Sequence, residues 1–321
     1  MKKILIANRG EIAIRIARAA AECQRSSVAI YAPDDARSLH VKAADEAIAL
    51  TGQGAAAYLD ADQIIAIALS VGADAIHPGY GFLSENADFA NQCAQNGITF
   101  IGPNAKALDV FGDKVKARAL AADVGVSLLP GTNGPTSLAE TRTFFTSLGD
   151  NAAIMIKAIA GGGGRGMRPV TSLDDIDEAY ERCQSEAAAA FGIGDVYVEQ
   201  LITKARHIEI QIVGDGNTAI HLGERECSLQ RRHQKLVEVA PSPTLAPALR
   251  DKLTQAALKL AQATQYNSLG TFEFLIDAQG GADASFAFME ANPRLQVEHT
   301  VTEEITSIDL VATQIHIAAK A

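Results

Sequence analysis

The chain has 321 residues, a length that allows two or three domains and a large hydrophobic core. Apolar residues make up 48% of it and charged residues 21%, which is the composition of an ordinary globular protein. The formal net charge of −10 argues against nonspecific binding to nucleic acid, because such binding needs a basic surface. We therefore expect no nucleic-acid partner, although a local basic pocket for a phosphorylated ligand is compatible with this charge.

Cysteine spacing and the N-terminal sequence bear on the cellular location. The four cysteines are scattered and form no Cys-x-x-Cys pair, which favours free thiols in a reducing compartment over a disulfide framework. The first apolar run, KILIA, breaks at Asn8-Arg9-Gly10-Glu11 and so predicts a strand and a helix rather than a signal peptide. No stretch approaches the ~18 apolar residues of a membrane span. We expect a cytoplasmic protein without membrane contact.

Residues 1–112 alternate apolar strands with amphipathic helices. The predicted strands are KILIA, SVAIYA, ADAIHPGYG and ITFIGP, and the predicted helices are EIAIRIARAAAE, DADQIIAIALSVG and ENADFANQCAQNG. Such alternation predicts a Rossmann-like α/β domain, in which helices cover both faces of a parallel sheet. Its first turn, Asn8-Arg9-Gly10-Glu11, differs from the Gly-x-Gly-x-x-Gly turn of dinucleotide-binding domains, so NAD is not implied.

A small second unit follows a connecting helix and a turn-rich linker at 113–131. This unit, 132–203, contains the glycine-rich run GGGGRG directly after a strand that carries Lys157. Backbone amides of such a loop can close over phosphates, and a mobile loop on a small unit is typical of a lid. The Gly-Lys-Ser/Thr end of a Walker A loop is missing, which disfavours the common P-loop fold.

Two lysines are candidate ligands of phosphate. Lys157 lies in the apolar strand MIKAIA, and a buried lysine without a partner is costly. A phosphate partner accounts for it better than a lysine that reaches solvent from a strand edge. For Lys114, in GDKVKAR, the pattern by itself favours a solvated lysine on a helix.

The third unit, 204–321, begins with a strand of strictly alternating pattern, RHIEIQIVGDG. His207, Glu209 and Gln211 share one face of it, and the isoleucines that follow each of them share the other. The polar face of such a strand meets either solvent or a site. A basic segment at 231–235, a long helix and a hairpin complete the unit.

The hairpin carries the pattern that is most informative about function. A turn near Gly281 places Glu273, in TFEFLID, opposite Glu290, in FAFME, so that both carboxylates share one face. Two carboxylates repel each other, and the flanking phenylalanines argue against exposure, so a divalent cation is expected between them. Asn292 adds a neutral oxygen, and hard oxygen donors without Cys or His suit Mg²⁺, which keeps positions free for water and phosphate. Metal, amide-rich loop and lysine together indicate chemistry on a nucleoside triphosphate.

Arg294 and Glu298 follow the hairpin at short spacing. A guanidinium can clamp a small oxyanion through two hydrogen bonds, and a carboxylate can accept a proton. We expect both groups beside the metal-bound phosphate.

The chain resembles the biotin carboxylases of the ATP-grasp superfamily in seven segments. These are KILIANRGEIAIRI, HPGYGFLSEN, FGDKVKAR, KAIAGGGGRGMR, RHIEIQ, ECSLQRRHQK and EANPRLQVEHTVTEEIT. The resemblance covers essentially all of 1–321 and implies a Rossmann-like N-terminal domain followed by an ATP-grasp fold, with a lid at 132–203 and a C-terminal subdomain at 204–321. Family members continue well beyond residue 321, so this C-terminal half is expected to be incomplete.

The resemblance also implies residue roles. ATP is expected to contact Lys114, Lys157, Gly162, Gly163, Gly164, Glu199, Leu201, His207, Gln230 and His233. Mg²⁺ or Mn²⁺ is expected to be bound by Glu273, Glu290 and Asn292. Bicarbonate and biotin are expected to be held by Lys235, Arg294, Gln296 and the Val297 backbone, and bicarbonate to be deprotonated by Glu298.

The implied activity is ATP-dependent carboxylation of biotin by bicarbonate through carboxyphosphate. The chain has no Met-Lys-Met biotinylation site, so biotin is expected on a separate carrier domain or protein. A carboxyltransferase, which selects the acyl acceptor, is the other expected partner. Arg18 and Glu22 match positions that help to pair subunits in the family, which makes a homodimer a further expectation.

Two alternatives stay open at this point. The chain can be a nucleotide-binding fragment without full turnover, or an ATP-grasp enzyme related to carbamoyl phosphate synthetase. Carbamoyl phosphate synthetases share the glycine loop and the metal hairpin but not the segment QRRHQK, which disfavours the second alternative.

Overall fold

The computed structural model describes residues 1–150, 152–159, 166–231, 234–278, 280–281 and 284–320. Within these ranges the chain forms an N-terminal α/β unit, a small middle unit and a larger unit built on an antiparallel sheet. The predicted combination of α/β and α+β architecture is confirmed. No helix in these ranges has both the length and the apolar character needed to cross a bilayer.

The N-terminal unit is built on a parallel sheet with strand order β3-β2-β1-β4-β5, as expected for a Rossmann-like fold. Its strands are β1 (Lys3–Ile6), β2 (Ser26–Tyr31), β3 (Glu46–Ala49), β4 (Ala75–His77) and β5 (Thr99–Phe100). Its helices are α1 (Gly10–Glu22), α2 (Leu39–Ala43), α3 (Gly54–Ala57), α4 (Ala61–Ser70) and α5 (Ala87–Gln95).

Helices cover both faces of this sheet because its central strand is apolar at successive positions. Ile4 and Ile6 of β1 pack with Ile16 of α1, and Leu5 packs with Ile64 of α4 on the opposite face. The sequence pattern missed β3, α2 and α3. Strand β3 lies at the sheet edge and is partly exposed, so it lacks the apolar run that marks the buried strands.

Two helices, α6 (Ala105–Gly112) and α7 (Lys114–Asp123), lead to the middle unit. That unit contains α8 (Leu138–Ser147), β6 (Ile154–Ala158), β7 (Met167–Val170), α9 (Ile176–Phe191) and β8 (Val196–Gln200). The antiparallel sheet has the order β7-β6-β8, and one face packs on α9 through Ile154, Ile156 and Val198. Residues two apart point the same way, so Lys157 and Glu199 share the opposite face.

The C-terminal unit is built on an antiparallel sheet with strand order β11-β10-β9-β12-β13. The strands are β9 (Ala205–Asp215), β10 (Ala219–Arg231), β11 (Gln234–Val239), β12 (Asn267–Asp277) and β13 (Phe286–Asn292). The helices are α10 (Pro247–Ala263), α11 (His299–Thr306) and α12 (Leu310–Ala318).

The two faces of β9 differ as the alternating sequence predicts. Ile208, Ile210 and Ile212 are fully buried in a core that also contains residues of α6, α7 and α10. The polar residues of the other face, among them Glu209 and Gln211, are also buried, which excludes the solvent-facing alternative. A strand that buries carboxylate and amide groups needs partners for them, and these partners form the site.

The first and third units share one hydrophobic cluster. Leu310 and Ile315 of α12 pack with Ile16 of α1. The Arg15 guanidinium on α1 lies 2.9 Å from a carboxylate oxygen of Glu303. This shared core fixes the N-terminal unit beside the segment that joins β13 to α11.

A prediction concerns the aromatic packing under the hairpin. Phe272 is fully buried, and its ring centroid lies 5.1 Å from that of Phe111 on α6. We expect Phe272→Ala to lower the free energy of unfolding by about 3–5 kcal/mol, because it removes an aromatic side chain from a packed core. Urea denaturation followed by circular dichroism measures this loss. Ile220→Ala, at a half-exposed position of the same sheet, is the control and should change stability by no more than about 0.5 kcal/mol.

Candidate active site

The predicted hairpin is confirmed, and it belongs to a longer row of charged residues. Glu273 on β12 pairs directly with Glu290 on β13. On its other side Glu273 pairs with Glu209 on β9, and Glu209 pairs with Arg225 on β10. Three carboxylates and one guanidinium therefore lie side by side across four neighbouring strands, on the face of β9 opposite Ile208, Ile210 and Ile212.

Glu273 is the most heavily bonded carboxylate of the row. Its oxygens accept hydrogen bonds from Asn292 Nδ2 at 2.6 Å and from Lys235 Nζ at 3.2 Å, and they lie 2.6 Å from His207 Nε2. Burial would raise the pKa of Glu273, but the hydrogen bond and charge of His207 and the charge of Lys235 hold this pKa far below its usual range. Glu273 therefore stays ionised in the buried site.

Glu290 has the opposite electrostatic environment. Burial and the negative charge of Glu273 raise the pKa of Glu290 above its usual value. Lys114, at the start of α7, and Lys157 partly offset this effect. The mutual repulsion that the sequence predicts for the two carboxylates is thus present in the structure, and a cation bound between them would relieve it.

Lys235 neutralises several carboxylates at once. Its ammonium nitrogen lies 2.5 Å from Glu209 Oε2, 2.7 Å from Glu298 Oε1 and 3.2 Å from Glu273 Oε1. Burial would lower the pKa of Lys235, but these carboxylates raise it well above its usual value. Lys235 therefore carries a permanent positive charge at the centre of the site.

Glu298 and Arg294 lie on the segment between β13 and α11. Burial would raise the pKa of Glu298, but the charge and hydrogen bond of Lys235 lower it below its usual value, so this carboxylate is ionised at neutral pH. Arg294 donates a hydrogen bond to Asn292 Oδ1 at 2.8 Å, and its Nε lies 3.1 Å from Glu85 of the N-terminal unit. This contact joins the N-terminal unit to the site.

The lysines on the side of the middle unit lie near the same carboxylates. Lys157 is buried and forms an ion pair with Glu199, which also lies 3.4 Å from Arg118. Burial lowers the pKa of Lys114, the nearby charge of Glu290 raises it, and that of Lys157 lowers it further. The structure thus places Lys114 at the site rather than on a solvated helix face, where the sequence pattern alone puts it.

The other predicted site residues are distributed as follows. Gln230 Nε2 lies 2.8 Å from His207 Nδ1, and Gln296 Nε2 donates to Glu273 Oε1 at 3.3 Å. Leu201 directly follows β8, and the Val297 side chain is 61% exposed, so only its backbone is available for a role inside the site. Gly162, Gly163, Gly164 and His233 lie outside the described residues.

Sequence reasoning missed Arg225 and Glu85 and did not assign Glu209 to the site. The alternation of β9 does place Glu209 beside His207, and this signal could have found it. Arg225 gives no such signal, because it follows a glutamate in a strand whose register with β9 shifts at a bulge. Glu85 is separated from Arg294 by more than two hundred residues, and only the docking of the two units brings them together.

Comparison with known proteins agrees with this geometry. The family model "Biotin carboxylase, N-terminal domain" matches residues 1–108, and "Carbamoyl-phosphate synthase L chain, ATP binding domain" matches residues 113–321. The chain is 53% identical to pyruvate carboxylase of Bacillus subtilis, over 99% of this chain and 27% of that protein. It is 52% identical to human mitochondrial pyruvate carboxylase, over 99% of this chain and 27% of that protein.

Solved structures give the same result. The biotin carboxylase domain of Hydrogenobacter thermophilus 2-oxoglutarate carboxylase, a dimer in complex with MgADP, ADP and bicarbonate, matches with a TM-score of 0.94 and 45% identity, over 100% of this chain and 70% of that chain. Biotin carboxylase from Campylobacter jejuni, in a beta-gamma-ATP complex, matches with a TM-score of 0.94 and 43% identity, over 99% of this chain and 70% of that chain.

The fold is that of the ATP-grasp ligases. Within that class, the chain belongs to the biotin carboxylase family. It spans about a quarter (27%) of the length of the curated pyruvate carboxylases that it matches.

A prediction follows for the charge of Lys235. Lys235→Met leaves Glu209, Glu273 and Glu298 without their shared cation, and we expect a loss of about 3–5 kcal/mol in the free energy of unfolding at pH 7. The raised pKa of Lys235 contributes stability below its unfolded value of about 10.4, and the lowered pKa of Glu298 contributes stability above its unfolded value of about 4.3. Both contributions are therefore present at pH 7 in the wild type.

In the variant the sign is reversed for Glu298, because burial without Lys235 raises the pKa of this carboxylate, and its protonation then stabilises the protein as the pH falls. The loss should therefore become smaller between pH 7 and pH 5, as measured by urea denaturation at both values. Lys116→Met, which removes an exposed ion pair with Asp109, is the control and should leave the pH dependence unchanged. A loss for Lys235→Met that is the same at both pH values would contradict this account.

Proposed function

We propose that this chain catalyses the ATP-dependent carboxylation of biotin by bicarbonate, as the biotin carboxylase part of a biotin-dependent carboxylase. The observation that carries the proposal is the contact of Lys235 with Glu298 and Glu273. It places a lowered-pKa carboxylate, a fixed cation and a candidate metal ligand within one hydrogen-bond network. Two related biotin carboxylases support the same assignment: one is a complex with MgADP, ADP and bicarbonate, and the other is a beta-gamma-ATP complex.

The donor set of the hairpin fits a hard divalent cation. Glu273 and Glu290 face each other in register, and Asn292 contributes an amide oxygen that Arg294 now contacts. We assign these three residues as the ligands of Mg²⁺ or Mn²⁺. The bound ion would stabilise negative charge on the phosphates of ATP.

The nucleotide is proposed to lie between the middle unit and the antiparallel sheet. Lys114 and Lys157 both lie near enough to Glu290 to lower its pKa, and their positive charges can bind phosphate oxygens of a nucleotide held there. Glu199 and Leu201, at the end of β8, are proposed to meet the adenine. His207 and Gln230, which contact each other, are proposed to bind the nucleotide as well, together with His233 and the lid glycines 162–164.

Bicarbonate is proposed to bind between Lys235, Arg294, Gln296 and the Val297 backbone amide. Glu298 accepts the proton of bicarbonate, and the resulting dianion attacks the γ-phosphorus of ATP, so that ADP leaves and carboxyphosphate forms. Lys235 and Arg294 offset the negative charge that develops in this step. Breakdown of carboxyphosphate gives CO₂ and phosphate. The phosphate can take the proton of an incoming ureido nitrogen of biotin, and this nitrogen then attacks CO₂ to form carboxybiotin.

The proposed partners are a biotin carrier domain or protein and a carboxyltransferase. The curated pyruvate carboxylases support this, since the chain matches only 27% of their length and most of each of those proteins lies outside the matched part. A homodimer is proposed because the related 2-oxoglutarate carboxylase domain is described as a dimer. A cytoplasmic location stays a prediction, and the curated relatives include mitochondrial proteins.

Phosphate release from MgATP tests the proposal, measured with and without bicarbonate and with added free biotin. Release that depends on bicarbonate and rises with biotin supports it. Nucleotide binding without release would instead make the chain a nucleotide-binding fragment. Release that depends on ammonia would place it with the carbamoyl phosphate synthetases.

A prediction concerns the proposed base. Glu298→Gln keeps the size of the side chain but cannot accept the proton, so bicarbonate-dependent phosphate release should fall by about 10²- to 10⁴-fold. Affinity for MgATP, measured by calorimetry, should stay within about twofold, because Glu298 is assigned to bicarbonate rather than to the nucleotide. Glu304→Gln, at an exposed position of α11, is the matched control and should keep wild-type activity. Near-normal turnover of Glu298→Gln would remove Glu298 from this role.

A further inference from the structure

Arg225 lies at the centre of a hydrogen-bond network beneath the proposed bicarbonate site. Its side chain is fully buried, and its guanidinium forms an ion pair with Glu209. The remaining hydrogen bonds go to Gln211 Oε1 at 2.9 Å, Thr302 Oγ1 at 2.8 Å, Gln296 Oε1 at 3.0 Å and Thr271 Oγ1 at 3.3 Å. One side chain thus connects three strands of the sheet with the segment before α11 and with α11 itself.

The first connection to the site runs through Glu209. One carboxylate oxygen of Glu209 contacts Arg225, and the other lies 2.5 Å from Lys235 Nζ. Glu209 has no exposed surface, so its charge must be shared between these two cations. Without Arg225, Glu209 would draw Lys235 toward itself and away from Glu298.

The second connection runs through Gln296. Arg225 binds the amide oxygen of Gln296, which turns the amide nitrogen toward Glu273 at 3.3 Å. A terminal amide can lie in either of two orientations. Because a guanidinium only donates hydrogen bonds, it stabilises the orientation in which the amide oxygen points toward it. Arg225 therefore determines which group of Gln296 faces the site.

The third connection reaches the helix that follows the site. Thr302 lies on α11, and Glu298 is the residue that precedes the first turn of this helix. The hydrogen bond from Arg225 to Thr302 ties that helix to the sheet. The same guanidinium thus fixes the position of Gln296 by a direct hydrogen bond and that of Glu298 through Thr302 of α11.

Stability alone does not account for this arrangement. A buried ion pair contributes little net stability compared with packed apolar residues, because both charges lose their hydration. What a planar guanidinium adds is five donors in a fixed geometry, which lysine lacks. Two of the acceptors connect Arg225 directly to the proposed site: Glu209 contacts Lys235, and Gln296 is itself a proposed ligand of bicarbonate.

We propose that Arg225 is a positioning residue for bicarbonate. It sets the orientation of Gln296, and it binds one carboxylate oxygen of Glu209 while Lys235 binds the other. It contacts no substrate. This inference rests on the proposed function, since it assumes that Lys235 and Gln296 hold bicarbonate.

The test uses Arg225→Lys, which keeps a positive charge beside Glu209 but cannot bind Gln296 and Thr302 at the same time. The dissociation constant of bicarbonate, measured by calorimetry with MgADP present, should rise about 10- to 100-fold, the effect of losing a hydrogen bond to a charged group. The KM for bicarbonate should rise by a similar factor. The KM for ATP at saturating bicarbonate should stay within about threefold.

Arg250→Met is the matched control. Arg250 pairs with Glu224, a buried carboxylate of the same strand β10, and this pair lies on the α10 side of the sheet, away from the site. This variant should lower the thermal midpoint without changing the affinity for bicarbonate. Arg225→Met, which leaves Glu209 unpaired, is used only if it folds, and its affinity for bicarbonate should fall at least as far as that of Arg225→Lys.

The outcomes separate this inference from the proposed function. If the wild type binds bicarbonate and Arg225→Lys binds it equally well, the positioning role is overturned and the proposed function stands. A lower thermal midpoint with unchanged bicarbonate affinity would also overturn it, since that is the result of a purely structural role. If the wild type binds bicarbonate but releases no phosphate, the proposed function fails while the binding comparison still decides the role of Arg225. A wild type that binds no bicarbonate overturns both.

Discussion

The row of buried charges across the antiparallel sheet is the constraint on which the rest of the site depends. Glu209, Glu273 and Glu290 lie on three adjacent strands, and none of them is exposed, so bulk solvent screens their charges only weakly. Buried carboxylates at such spacing are tolerated only when cations or hydrogen-bond donors lie between them. Arg225 and Lys235 meet this requirement at one end of the row.

At the Glu290 end of the row the balance of positive and negative charge is different. Glu290 lies opposite Glu273 and has a raised pKa, and the cations near it, Lys114 and Lys157, belong to α7 and to the middle unit. The two ends of the row thus have different roles. At the Arg225 end the carboxylate of Glu209 is buried and neutralised by Arg225 and Lys235, whereas at the Glu290 end the proposed metal ion would add the missing positive charge.

Several parts of the molecule were predictable from local sequence patterns. Runs of apolar residues with period two or 3.6 identified the buried strands and the helices of the N-terminal unit, because burial on a fixed face imposes that period. A turn near Gly281 predicted that Glu273 and Glu290 lie opposite each other, and the two are paired, but a one-residue register shift between Glu273 and Phe274 is needed to bring them together, and the sequence pattern did not show it. The edge strand β3 was missed because a half-exposed edge imposes no such pattern.

The sequence by itself determined the alternation of β9, the facing carboxylates of the hairpin and the family to which the chain belongs, since each depends on neighbours in the chain or on segments that match the family in order and spacing. Only the tertiary structure decided which charged groups neutralise one another: Arg225 with Glu209, Lys235 with Glu298, and Arg294 with Glu85. These contacts join strands and units that are distant in sequence, and ion pairing acts through space without leaving a period along the chain.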